Sequence, residues 1–227
     1  MEIRQAELIR FLGQYVTQHK RDFIDRVLAQ RTKYVTLVLE DIYQSQNASA
    51  ALRTCECLGV QDIHIIENTS TYGTNKKVLK GSHKWLTINR YKSKAGSSTE
   101  SCIRQLKETG YRIIATDPSP SGVSLEDLDV THGKIAFVMG NEQHGTSPVV
   151  AQLADQFVYI PMFGFTESFN ISVSAALCLS HTLRKVRSSA VDWKLTSQEQ
   201  EDLRLAWYKK TIRRAELIEQ EYLKMNR

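Results

Sequence analysis

Apolar positions change their period along the chain, and the changes mark out the elements. Leu8, Phe11, Leu12, Tyr15, Phe23, Val27 and Leu28 recur at helical spacing with few breakers, which predicts a helix over residues 2–31. "YVTLVLE" (34–40) is instead a run rich in β-branched residues, the pattern of a buried strand. "NASAALRTCECLGV" (47–60) returns to a helical pattern, with Asn47 placed as an N-cap and Gly59 as a C-terminal stop. Strands follow at 62–67 and 85–91, a helix over 98–110, and a strand at 111–117. A turn with a short helix fills 118–129, then a strand runs over 134–140. Ser147 and Pro148 open a short helix over 147–154, as an N-cap and a first-turn proline do. A last strand (156–161) leads to a helix over 170–187, and a charged helix over 196–224 carries Leu203, Trp207, Leu217 and Leu223 as an apolar stripe.

Strands alternating with helices predict an α/β fold with a mainly parallel sheet. The strands lack polar alternation because helices cover both faces. Ligands in such folds sit beyond the carboxyl ends of strands. Three loops leave strand ends there: the one after Thr116, "GNEQHGTS" (140–147), and "PMFGFTESFN" (161–170). None carries G-x-G-x-x-G or G-x-x-x-x-G-K-[ST], so an ordinary dinucleotide or P-loop site is disfavoured. The stretch 68–84, "NTSTYGTNKKVLKGSHK", reads as a long polar, basic loop, a length that points to function or mobility.

Composition narrows the classes. The 227 residues, 41% hydrophobic and 24% charged, suit one soluble domain with terminal extensions, divided here at 1–33, 34–188 and 189–227. No run reaches about 18 apolar residues, and the N-terminus lacks the apolar core of a signal peptide, so the expectation is a cytoplasmic protein without a membrane partner. Cys55, Cys57, Cys102 and Cys178 match neither a zinc spacing nor a disulfide framework, and reduced, mostly buried thiols and no metal are expected. The formal charge of +5 is modest, but basic residues crowd both ends, which makes a polyanionic partner a fair suspicion.

Three segments carry a more specific signal. "EDIYQSQNASAALRTCECLGV" (40–60), "IAFVMGNEQHGTS" (135–147) and "IPMFGFTESFNISVSAAL" (160–177) together resemble the SpoU branch of the SPOUT RNA methyltransferases. "GSHKW" (81–85) is further similar to the tRNA guanosine-18 branch. The resemblance covers about 34–187. It implies a SPOUT fold with a deep C-terminal trefoil knot, S-adenosylmethionine as methyl donor without a metal, a homodimer with sites completed across its interface, and tRNA as partner. One position departs from the family, Phe169 standing where Leu is usual.

On that resemblance the catalytic set is Arg53, Asn47, Glu142, Ser168 and Asn170. Arg53 sits among Ala50, Ala51, Leu52 and Cys55 on a face that reads as buried, and activation of the ribose hydroxyl is its implied role. A guanidinium barely deprotonates, so two routes stand open: a base adjusted by its surroundings, or a cation stabilising the developing alkoxide. Asn47 reads equally as a helix cap and as an organiser of the site. Glu142 is placed as an orienting partner; Ser168 and Asn170 are both able to cap the helix they precede, one more cap than a helix needs. The cofactor-binding set is Thr116, Gly140, Asn141, Ile160, Met162, Gly164 and Phe169. Gly164 is expected to allow close backbone approach, Pro161 to fix φ, and Met162 and Phe169 to wall the adenine. His83, Lys84, Arg184, Arg187, Lys209, Arg213 and Arg10 are candidate RNA contacts, with Lys209/Arg213 and Lys210/Arg214 paired at i, i+4 on the terminal helix. His144, His83 and His181 have no sequence-identifiable partner and are weak candidates for a base.

The expected activity is therefore 2′-O-methylation of a tRNA ribose, at the D-loop guanosine 18. A ribosomal RNA 2′-O-methyltransferase is the alternative within the class; only 33 residues precede the first strand, little room for the separate RNA-binding domain such relatives often carry. A non-catalytic RNA-binding protein of the same fold is the alternative outside it, and a Rossmann-type nucleotide enzyme ranks last.

Overall fold

The computed structural model describes residues 2–92, 98–119 and 121–225; Pro120, within the expected 118–129 turn, lies outside them. The chain divides into two units, residues 32–193 and the two terminal segments taken together.

The larger unit is a seven-stranded, all-parallel sheet. Its strands are β1 (Val35–Glu40), β2 (Asp62–Ile66), β3 (Thr87–Tyr91), β4 (Tyr111–Thr116), β5 (Val123–Ser124), β6 (Lys134–Met139) and β7 (Gln156–Tyr159), in the order β3-β2-β1-β6-β4-β7-β5. β1 is an inner strand, with Leu37 in register with Ile63 on one side and Phe137 on the other. All six of its residues are buried, as a strand covered on both faces must be. The strand period separates its side chains into two cores. Leu37 and Leu39 pack with Ala48, Ala51, Leu52, Ala175 and Leu179, whereas Val38 joins Ile103, Leu106, Ile113 and Val150. Burial of a side chain such as Leu37 or Phe137 stabilises by about 2–3 kcal/mol.

Helices α3 (Ser45–Leu58) and α7 (Ile171–Ser188) build the first core with the sheet; α5 (Ser98–Glu108) and α6 (Pro148–Leu153) build the second. Gly59 ends α3 in the left-handed region at φ 84°, and Ser147 caps α6 through the Val150 amide with Pro148 in its first turn, all as the sequence predicts. Three expectations need correction. The strand predicted at 85–91 begins at Thr87, the turn before it being a short 3-10 segment (Ser82–Trp85). Residues 68–84 are not one open loop, because α4 (Lys76–Leu79) forms within them. Asn47 is not a cap: α3 begins two residues earlier, after Gln44, and Asn47 lies inside its first turn.

The smaller unit is a helical cluster. Each long helix predicted at an end is two: α1 (Glu2–Gly13) and α2 (Gln18–Leu28), then α8 (Ser197–Thr211) and α9 (Ala215–Met225). Thr17 restarts the chain by accepting from the Lys20 amide, and Arg214, at φ 58°, breaks the second pair. Leu8, Leu12, Ile24, Leu28, Leu203 and Trp207 form its interior. The buried Arg31 guanidinium lies 5.4 Å from the Trp207 ring, and Thr196 with Glu199 makes a reciprocal capping box on α8.

All four cysteines are free; Cys55, Cys102 and Cys178 are buried and Cys57 is exposed. Among the described residues, no helix is long and apolar enough to cross a membrane and no group of side chains is set to hold a metal ion.

Candidate active site

A cleft of about 460 Å³ opens at the carboxyl ends of β4, β6 and β7 and the start of α7. That is the size of an ordinary small-molecule site, in the place where parallel sheets bind ligands. Met139, Val158, Ile160, Met162, Phe169 and Ile171 give it apolar walls. Its polar lining is amides, hydroxyls and three carboxylates, Asp117, Glu142 and Glu167, with no Lys, Arg or His among the described residues that line it. Such a cleft favours a cation and resists a polyphosphate.

One edge of the cleft is a connected set of side chains. Asn47, buried in the first turn of α3, donates from Nδ2 to Glu142 Oε1 at 2.8 Å and accepts on Oδ1 from Asn170 Nδ2 at 3.1 Å. Glu142 also accepts from the backbone amides of Tyr43 (3.1 Å) and Gln44 (3.4 Å). Burial pushes its pKa up, but the Asn47 and backbone hydrogen bonds outweigh burial and hold the carboxyl below its ordinary value. Asn170 serves twice, since its Oδ1 accepts from the Ser172 amide at 2.9 Å and so caps α7.

The loop bearing Glu142 is held from below. Glu40, 2% exposed at the end of β1, accepts from the Ser147 amide (2.9 Å), Ser147 Oγ (2.7 Å) and Thr99 Oγ1 (2.6 Å). Asn141 closes the loop through paired backbone bonds with Gly145 and donates from Nδ2 to the Asp41 carbonyl at 2.8 Å. Gly140 is required sterically, because a Cβ there would lie 2.2 Å from the Gly145 carbonyl. The Asp41 carboxylate in turn accepts the amides of Asn68, Thr69 and Ser70.

The cleft, its Asn–Glu–Asn edge and the strand-end loops all fall within residues 34–180, which match the model of the SpoU rRNA methylase family. The chain belongs to that family. The tRNA (guanosine(18)-2′-O)-methyltransferase of Borreliella burgdorferi is 41% identical to this SpoU member over 211 residues, 93% of this chain and 94% of that one. The TrmH/SpoU tRNA modifying enzyme of A. aeolicus superposes with a TM-score of 0.74 at 25% identity, covering 87% of this chain and 98% of its own. An AdoMet-bound rRNA methyltransferase from Sinorhizobium meliloti shares the fold, with a TM-score of 0.59 at 22% identity over 71% of this chain and 60% of its own.

Within this SpoU chain the structure gathers Asn47, Glu142, Ser168 and Asn170 at the cleft, together with Thr116, Gly140, Asn141, Ile160, Met162 and Phe169. Gly164 stands apart. It lines a neighbouring groove rather than the cleft, its φ is ordinary, and a Cβ there would meet no other atom of the chain within 4 Å. Arg53 is not in the cleft either. The buried residues of α3 are Asn47, Ala48, Ser49, Ala51, Leu52 and Cys55, so Arg53 falls on the exposed side, where Nη1 meets the Val78 carbonyl at 3.4 Å. His83, His144 and His181 do not line the cleft.

The candidate RNA contacts separate into two kinds. Arg10, Lys84, Arg184, Arg187 and Arg213 are exposed, but two of the candidates are engaged within the chain. Lys209 pairs with Glu219 at 2.6 Å, and Arg187 donates to the Leu58 carbonyl at 2.7 Å while lying over Trp193. His83 is half-buried. The i, i+4 pairs predicted on the terminal helix do not form as such, because α8 ends at Thr211, before Arg213 and Arg214. Glu40, Asp117 and Glu167 escaped the sequence reading. A carboxylate ending an apolar strand was the available signal for Glu40, and the position after a parallel strand for Asp117.

Proposed function

We propose that this chain is an S-adenosylmethionine-dependent tRNA ribose 2′-O-methyltransferase, acting on guanosine 18 of the D-loop. The observation that carries the reading is the Glu142–Asn47–Asn170 chain set beside an apolar cleft with acidic and amide polar groups. The identity of the Borreliella burgdorferi relative supports the substrate. The donor chemistry of the cleft suits this cofactor, whose sulfonium and ammonium are cationic and whose adenine is apolar-faced. When bound, it supplies an electrophilic methyl group on positively charged sulfur. Met162, Ile160 and Phe169 are the residues proposed to wall the adenine, with Thr116, Gly140 and Asn141 around them.

The protein's own work is then positioning and charge control. Asn47 fixes the Glu142 carboxylate and the Asn170 amide in one arrangement, leaving Ser168 and Asn170 facing the place of the target ribose. The Arg53 guanidinium is assigned to stabilise the negative charge that builds on the 2′-oxygen. Because it lies outside the cleft of its own chain, we assign it to the cleft of a second copy in a homodimer. Phe163 and Phe165, 97% and 109% exposed, with Val173 and Leu177 also exposed, support an apolar face that a second copy covers. Family membership supports a deep trefoil knot in the C-terminal part of the sheet unit, three-part division at 33 and 188, a cytoplasmic setting and chemistry without a metal.

The test is methyl transfer from labelled S-adenosylmethionine to unmodified tRNA, with the modified ribose mapped. Label on guanosine 18, lost in Arg53→Ala without loss of cofactor binding, is the expected result. Label on another ribose overturns the assigned nucleotide, and cofactor binding without transfer to any RNA overturns the activity.

A further inference from the structure

α4 is only one turn long, yet it is fastened at several points. Leu79 is buried, at 1% exposure. Asn75 caps the turn by accepting from the Lys77 amide at 3.0 Å, and its own amide donates to the buried Ser49 Oγ of α3 at 2.8 Å. The Arg53 guanidinium meets the carbonyl of Val78. This segment therefore holds its shape through contacts with α3, the helix that bears both Asn47 and Arg53.

Its outward side is cationic. Lys76, Lys77 and Lys80 are exposed, and none of their side chains has an ion-pair or hydrogen-bond partner among the described residues. The whole stretch 68–84 contains no acid. Three lysines fall within residues 76–80, Lys80 ending the turn as its left-handed C-cap. Like charges so grouped repel one another, and a face kept only for solubility is better served by mixed signs. Lys80 also occupies the left-handed region at φ 45°, directly before Gly81 at φ 83°, a costly backbone for a lysine to hold.

We propose that Lys76, Lys77 and Lys80 form a phosphate-binding platform for the RNA strand that brings its ribose to Arg53. This rests on the methyltransferase reading above and deepens it. The platform touches backbone rather than bases, so it gives affinity and register without reading sequence. Its fixed turn spares the ordering cost that three lysines on a loose loop would incur.

The test compares the wild-type chain with the triple variant Lys76→Ala/Lys77→Ala/Lys80→Ala and with the triple Lys→Arg variant. Each is assayed for unmodified tRNA binding across a salt series, for methyl-transfer kinetics, for S-adenosylmethionine binding and for melting temperature. The alanine variant is expected to raise the KM for tRNA about tenfold or more, since each lost phosphate contact flattens the log K against log salt slope by roughly 0.7–0.9. Its kcat, cofactor binding and melting temperature stay near wild type, and the arginine variant restores the KM. An alanine variant with wild-type tRNA affinity and salt slope, in a wild-type enzyme that is active, overturns the platform alone. A raised KM with an unchanged salt slope also overturns it. A wild-type chain that neither binds tRNA nor methylates it overturns the reading beneath as well.

Discussion

The two rims of the cleft are built on different physical terms. On one, Glu40 with Ser147, and Glu142 with Asn47 and Asn170, make two sets of side-chain hydrogen bonds that hold the 141–147 loop to β1, α3 and α7. On the other, residues 163–169 are exposed, and Phe163 and Phe165 project fully from the chain's surface. The first rim is fixed by the fold itself, so its geometry exists before any ligand arrives. The second has little to hold it within one chain. Pre-organisation thus sits where charge must be handled, and adaptability sits where a surface must be recognised.

The sharpest way to break the first rim is Gly140→Ala. With the new Cβ 2.2 Å from the Gly145 carbonyl, backbone rather than a flexible side chain has to move, and the loop carrying Asn141 and Glu142 moves with it. The expected outcome is loss of measurable S-adenosylmethionine binding by calorimetry, with a destabilisation of about 3 kcal/mol or more by thermal melting. Binding retained at wild-type strength means that the loop is not part of the site.

Glu40→Ala comes next. It leaves the Ser147 amide and two hydroxyls without their buried acceptor, a cost of about 2–4 kcal/mol in denaturant unfolding. Cofactor affinity falls too, because the 141–147 loop loses its lower anchor. A variant that unfolds earlier but binds cofactor as tightly as wild type limits Glu40 to the fold.

Asn47→Ala tests the cluster more gently. It is expected to cost about 1–2 kcal/mol of stability and to lower kcat about 100-fold, with a smaller change in cofactor affinity. It also has a pH signature. Glu142 has its folded pKa below its ordinary value, so its ionised, hydrogen-bonded form contributes fully above the unfolded pKa and is lost only as pH falls through the lower folded value. Without the Asn47 amide that value rises, and the acid limb of residual activity moves to higher pH. An unmoved limb separates Glu142 from the rate.

These effects bear on what the sequence could reveal. Strands and most helices were legible because β1 and β6 are unbroken apolar runs and α3, α5 and α7 carry helical periods. The breaks at 14–17 and 212–214 were not, since neither contains proline and the flanking Gln, Lys and Arg favour helix. Asn47 looked like a cap because asparagine before an apolar helix usually is one, whereas its partners Glu142 and Asn170 lie 95 and 123 positions away. Arg53 looked buried from its neighbours, but one step along a helix turns a side chain by about 100°. Family resemblance named Asn47, Glu142, Ser168 and Asn170 of the cleft but not Asp117 or Glu167; local pattern alone had no access to the partners of Glu40 or to the direction Arg53 faces.

Gly164→Ala is the smallest expected effect and the most informative about the second rim. The position has an ordinary φ and open space where a Cβ would stand, so alanine fits without strain. Removing glycine's extra freedom from the unfolded chain is expected to raise stability by about 0.4–1 kcal/mol, with cofactor binding unchanged. That outcome means the 163–169 rim keeps its present backbone when the site is filled. A loss of cofactor binding, with melting temperature intact, means the opposite: the bound loop needs a conformation or a closeness at Gly164 that only glycine allows, and the second rim is finished by its ligand where the first is finished by its fold.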